Sequence, residues 1–276
     1  MTAIGMTSNR LTASAVPSGI IALLLLASGI LSSILYVATD ILGGLRYPGY
    51  DFTSQAISEL GAIGAPSAGL VGALFFVYGV LVLAFGVGVY REGARRGRGL
   101  RITGAVLIAY AVTGFASPFT RMHQRGAGSL DADLSHIVLT VALVILLLLA
   151  MGFAAFALGR RFRIYSIATM AGLVAFGAWT GAYAARLAAG LPTPGMGIIE
   201  RIDVYAALLW IAVLSSTLLR TRRHSSTGAN HRTLESGTFS TPASRFRSPG
   251  GLVARSDVAG AGMFARVPTA VTSDPE

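Results

Sequence analysis

Six long apolar runs, none of them containing Asp, Glu, Arg or His, leave this chain very few ways to fold. They lie at about 18–39, 69–90, 102–119, 137–158, 164–185 and 204–219. Each is close to the roughly 20 residues that cross a hydrocarbon core about 30 Å thick. Lipid offers backbone amides no partner, so segments of this kind satisfy themselves as helices. The expected fold class is therefore all-α, an integral membrane bundle of six transmembrane helices.

Composition agrees with a lipid solvent. Of 276 residues, 53% are hydrophobic and only 12% charged, with a mean hydropathy of +0.66, well outside the usual mix for a soluble domain. The chain has no cysteine, which removes disulfides, thiolate metal sites and cysteine nucleophiles. It also has no lysine, so lysine chemistry is excluded. The net charge of +10 does not read as a nucleic-acid surface, because the arginines flank apolar runs without interleaved aromatics. Membrane lipids are the expected surroundings, and no nucleic-acid partner is expected.

Charge fixes the expected orientation. Arg91, Arg95, Arg96, Arg98 and Arg101 follow the second run, Arg160, Arg161 and Arg163 follow the fourth, and Arg220, Arg222 and Arg223 follow the sixth, with only Glu92 among them. The opposite loops carry the acids Asp40, Asp51, Glu59, Asp131, Asp133, Glu200 and Asp203. By the positive-inside rule the arginine-dense side is cytoplasmic, which places both chain ends inside the cell. The organisation expected is a cytoplasmic segment over residues 1–17, a transmembrane domain over 18–222, and a disordered cytoplasmic tail over 223–276. That tail, rich in Ser, Thr, Gly, Pro and Arg, has too little apolar surface to offset ordering entropy. The expected location is a bacterial cytoplasmic membrane.

Mixed polar residues gather at the opposite, extracytoplasmic ends of the helices. In the first outer loop, residues 53–60 read as a short helix closed by Gly61, with Ser54 and Ser58 on one face and Glu59 beside them. The second loop supplies His123, Arg125, Asp131, Asp133 and His136, with Asp133 or Ser135 able to cap the fourth helix. The third gives Glu200, Arg201 and Asp203. Glu59, His136, Glu200 and Arg201 abut the hydrocarbon boundary, where an unpaired charge is costly. A mutual network is expected there, with Arg201 holding one of the carboxylates.

Ser58, Glu59, His136, Glu200 and Arg201 are thus the candidate polar site. Its leading reading is a cap that binds lipid head groups or a polar small molecule. A metal-dependent, membrane-embedded lipid hydrolase is an alternative, with zinc held by His123, His136 and Asp131, although no fixed ligand spacing such as HExxH occurs. A transporter is another; it lacks an ionisable residue at mid-depth in these runs. Whether the chain is an enzyme is left open. Gly177 and Gly181 form a small-xxx-small pair that would allow close helix packing, within the chain or between two copies.

Ile57-Ser58-Glu59-Leu60-Gly61-Ala62, Pro118 followed by His136, and Gly197-Ile198-Ile199-Glu200-Arg201 followed by Trp210 resemble the bacterial six-helix membrane family catalogued as domain of unknown function 998. The likeness runs over about residues 15–222. It implies the six-helix architecture, with Ser58, Glu59, His136, Glu200 and Arg201 as characteristic positions, and it implies no particular activity.

Overall fold

The computed structural model describes residues 18–237, with side chains from Gly19 to Arg222. The expected N-terminal segment, 1–17, and residues 238–276 of the expected disordered tail, 223–276, lie outside the described residues, while residues 223–237 of that tail continue the last helix. The chain divides into one unit, Met1–Asn230, that contains all six spans, and a second, His231–Glu276.

The first unit is all-helical among its described residues. Its long helices are α1 (Ser18–Arg46), α2 (Ala68–Arg96), α3 (Arg98–Gly114), α4 (Leu134–Ala157) and α5 (Arg160–Ala182). A five-residue helix α6 (Ala184–Ala188) precedes the last, α7 (Met196–Gly237). Six helices, the last counted from Met196 to Arg222, are long and apolar enough to cross a membrane. The protein is a multi-pass membrane protein.

Several helices outrun the apolar runs that announce them. α1 continues past Thr39 to Arg46, and α7 begins at Met196 rather than Val204. Asp40, Glu200, Arg201 and Asp203 therefore sit inside helices, not in loops. A hydropathy run stops at its first charge, but a helix need not, and Asp40 and Arg201 pair with each other. In the first outer loop the expected helix over 53–60 is shorter and tighter, a 3-10 turn over Ile57–Gly61.

α1 packs on α2, α2 on α3, α3 on α4 and α4 on α5. The tightest pairing is the α2–α3 hairpin, turned by Gly97 alone at φ +138, a backbone conformation that a side chain would strain. Close approach continues along the pair: a Cβ on Gly93 would strike the Arg101 backbone, and one on Gly104 the Tyr90 backbone. On α2, Gly79 likewise faces the ring of Phe115, the residue that caps α3, and Gly86 faces Ile108 of α3. Small residues here serve packing within the chain.

α7 closes the bundle. Ser33 on α1 donates to the Leu208 carbonyl at 2.9 Å, and Ser215 donates to the Leu26 carbonyl at 2.6 Å. Trp210 Nε1 donates to Ser166 Oγ on α5 at 2.9 Å. Around these bonds Trp210, Ile211, Leu214 and Leu218 are sealed with Leu26, Phe85, Leu107 and Met151 in the main core. At the arginine-rich end, the buried Glu92 is held by Arg96 at 2.6 Å and Arg222 at 3.2 Å.

Candidate functional site

At the other end the three outer loops meet, tied by two arginine–carboxylate pairs and by backbone. The first pair joins α7 to α1. Arg201 Nη2 lies 2.8 Å from Asp40 Oδ1, and its Nε donates to Oδ2 at 2.9 Å. Its Nη1 donates to the carbonyls of Phe52, Gln55 and Gly197, and Nη2 also donates to the Tyr50 hydroxyl. Tyr205 donates to Asp40 Oδ2 at 2.6 Å. The guanidinium lies over the Phe52 ring, 4.9 Å from its centroid, adding a cation–π contact.

Tyr50 belongs to the same frame. Burial pushes its phenol well above the usual range, against the opposing pull of Arg201, so it stays protonated. It donates to the Ala56 carbonyl at 2.8 Å and fixes the start of the 3-10 turn.

The second pair joins the first two loops. Glu59 is buried, and Arg125 grips both of its oxygens, at 2.8 Å from Nη2 to Oε1 and 3.2 Å from Nε to Oε2. Oε1 also accepts the Ala56 amide at 2.9 Å. Arg125 reaches the third loop through Thr193 Oγ1 and the Leu191 carbonyl, and returns to the first at the Ser54 carbonyl. Thr193 donates to that same carbonyl. Backbone bonds from Gly197 to Thr53, from Ile63 to Met122 and from Gly126 to Leu187 complete the seam.

The expected site residues are not equal partners in this. Glu59, Glu200 and Arg201 lie in the cap. Ser58 is half-buried, and its side chain makes no hydrogen bond among the described residues. His136, in the first turn of α4, donates from Nδ1 to the Thr120 carbonyl of the second loop at 3.1 Å and joins neither arginine pair. Asp133 stands at the N-cap of α4 but makes no capping bond. It accepts instead from the His123 amide at 2.9 Å and ring Nδ1 at 2.7 Å. Asp131 is exposed. Among the described residues no three His, Asp or Glu side chains gather as metal ligands would.

Sequence reasoning passed over Asp40 and Arg125 as site residues, although they partner Arg201 and Glu59. The signal for Asp40 was its place at the end of an otherwise uncharged run, where a lone acid needs a cation.

An arginine offers five N–H donors. In Arg201 and Arg125 every nitrogen is hydrogen-bonded within the protein. Glu200 differs. Its Oε2 accepts the Ile57 amide at 2.6 Å, while Oε1 meets no donor among the described residues.

The family model for a protein of unknown function, DUF998, matches residues 30–217. The chain belongs to this DUF998 family. The match takes in every outer-loop residue of the cap, the second to fifth spans whole, and the greater part of the first and last. No curated protein and no solved structure matches the chain.

Proposed function

We propose that this DUF998 protein binds a lipid head group or a polar small molecule at its cap, with Glu200 as the recognising group. The observation that carries this is the contrast in hydrogen bonding between the arginines and Glu200. Phosphate recognition needs free guanidinium donors, and both cap arginines have theirs occupied by the loops they hold. Glu200 presents a free acceptor at the membrane boundary. The complementary ligand carries donors there, as an ammonium or hydroxyl group does. The arginines act as the frame that keeps Glu200 and the Ile57 amide in place.

The arginine distribution supports a cytoplasmic membrane with the cap outside, and the family likeness points to a bacterial one. Association of two copies through Gly177 and Gly181 has partial support: Gly181 meets open space, while Gly177 is turned toward Asp203 of α7.

The test is lipid identification by native mass spectrometry of purified wild type and Glu200→Gln. The glutamine keeps an acceptor for Ile57 but loses the charge. Wild type should retain a lipid with an ammonium head group that Glu200→Gln loses, at unchanged melting temperature. Equal retention by both proteins would refute the assignment.

A further inference from the structure

A second acid on α7 has no part in the cap. Asp203 lies seven residues into the helix, about 10 Å along its axis. The uncharged run from Val204 to Leu219 covers only about 24 Å of helix against a core about 30 Å thick, so Asp203 at its outer end sits a few ångströms inside the boundary. Its Oδ1 is buried and has no hydrogen-bond partner. Thr180 Oγ1 on α5 is the same, buried and unpartnered.

The two orphans belong to one seam. On α5, Ser166, Met170, Leu173, Gly177 and Thr180 recur at spacings of four and three, which puts them on one face. Ser166 receives the Trp210 N–H, and Gly177 lies against Asp203, whose Oδ2 is 3.6 Å from where a Cβ would stand. These two contacts set an antiparallel register between α5 and α7. Thr180, one turn beyond Gly177, then comes level with the Glu200 turn of α7.

The seam opens to lipid. Ile198, Ile202 and Trp179 on its flanks are 49%, 45% and 55% exposed, and Gly177 and Gly181 supply no side chains to fill it. No cation of the described residues pairs with Asp203, since the nearest arginine in sequence, Arg201, is turned to Asp40. The α5 stripe facing Asp203 contains no titratable group, and on its own helix the neighbouring acid is Glu200. An ionised carboxylate at this depth without a partner is strongly disfavoured.

We propose that Asp203 is a proton-binding site inside the membrane, held as a neutral carboxylic acid in the α5–α7 seam and open to the bilayer. This goes beyond the head-group reading and does not depend on it, because protonation of Asp203 requires nothing of what Glu200 binds.

The experiment is carbodiimide labelling of the full-length wild-type protein in lipid nanodiscs, mapped by peptide mass spectrometry. Dicyclohexylcarbodiimide partitions into lipid and reacts with protonated carboxyls; a water-soluble carbodiimide with an added amine reports carboxyls open to water. The lipid-soluble reagent should modify Asp203, with labelling lost at alkaline pH and absent from Asp203→Asn, while the water-soluble one modifies exposed Asp131 and spares Asp203. Absence of Asp203 labelling by the lipid-soluble reagent at every pH would overturn the proposal. So would modification of Asp203 by the water-soluble reagent, which would place it in contact with water.

Discussion

Arg201 on α7 grips Asp40 on α1 at two points, 2.8 and 2.9 Å, with the acid 1% and the arginine 12% exposed in their side chains. The pair joins helices whose residues are 161 positions apart and holds the first outer loop by three further bonds from the same guanidinium, to Phe52, Gln55 and Tyr50. Removing one member leaves the other uncompensated in a dry site, which costs about 3 kcal/mol or more. Asp40→Asn and Arg201→Gln should each lower the detergent melting temperature markedly. The double variant should be no worse than the worse single, since the partners' losses overlap. Additive losses would show that the two residues act separately.

The α2–α3 hairpin makes a prediction with an internal control. Gly93 and Gly104 have facing backbone where a Cβ would go, whereas Gly152 on α4 has nothing within 4 Å. Overpacking of this kind costs about 1–3 kcal/mol, and more where backbone must move. Gly93→Ala and Gly104→Ala should each reduce the yield of folded protein in size-exclusion chromatography, and Gly152→Ala should not. Equal behaviour of the three would mean that the helices are not so close.

The spans were legible because a charge-free run of some 20 residues has one stable solution in lipid. The cap was only half legible. Glu59, Glu200 and Arg201 stood out because charges beside hydrocarbon are conspicuous, and a carboxylate partner for Arg201 followed from cost alone. That the partner is Asp40 could not follow, since nothing local links residues 161 positions apart. Arg125 was hidden among ordinary loop charges until three loops were seen to close on it. The depth of Asp203 was obscured by taking the first charge as the helix end. His136 shows the converse, a conspicuous residue in the first turn of α4 whose ring bonds to the Thr120 carbonyl and to neither arginine pair.

The start of the first outer loop should respond to acid. Hydroxyls of Ser54 and Thr53, with the Thr53 amide, donate to Asp51 and lower its carboxyl from 3.8 to about 2. A depressed value means that the folded loop favours the carboxylate. Its contribution is complete above about pH 4, near the unfolded value, and is lost as pH falls through about 2. Ser54→Ala with Thr53→Val should return the Asp51 titration toward the ordinary range, as read by carboxyl carbon-13 NMR. An unchanged midpoint would mean that these hydroxyls do not hold the carboxylate.

The bond from Trp210 to Ser166 offers the most direct check of how α7 meets α5. Trp210 is fully buried and Trp179 is 55% exposed, so a Trp179→Phe background leaves Trp210 as the sole indole. In that background Ser166→Ala removes the only acceptor of the indole N–H at 2.9 Å. An unsatisfied donor in an apolar core costs about 1 kcal/mol, in line with hydrogen bonds measured between membrane helices. The emission of Trp210 should shift to the blue as its polar partner disappears, with a modest drop in melting temperature. Ser166→Thr should restore both, because the hydroxyl returns. A spectrum indifferent to Ser166→Ala would mean that α5 and α7 are not in this register, and the placement of Gly177 opposite Asp203 would fall with it.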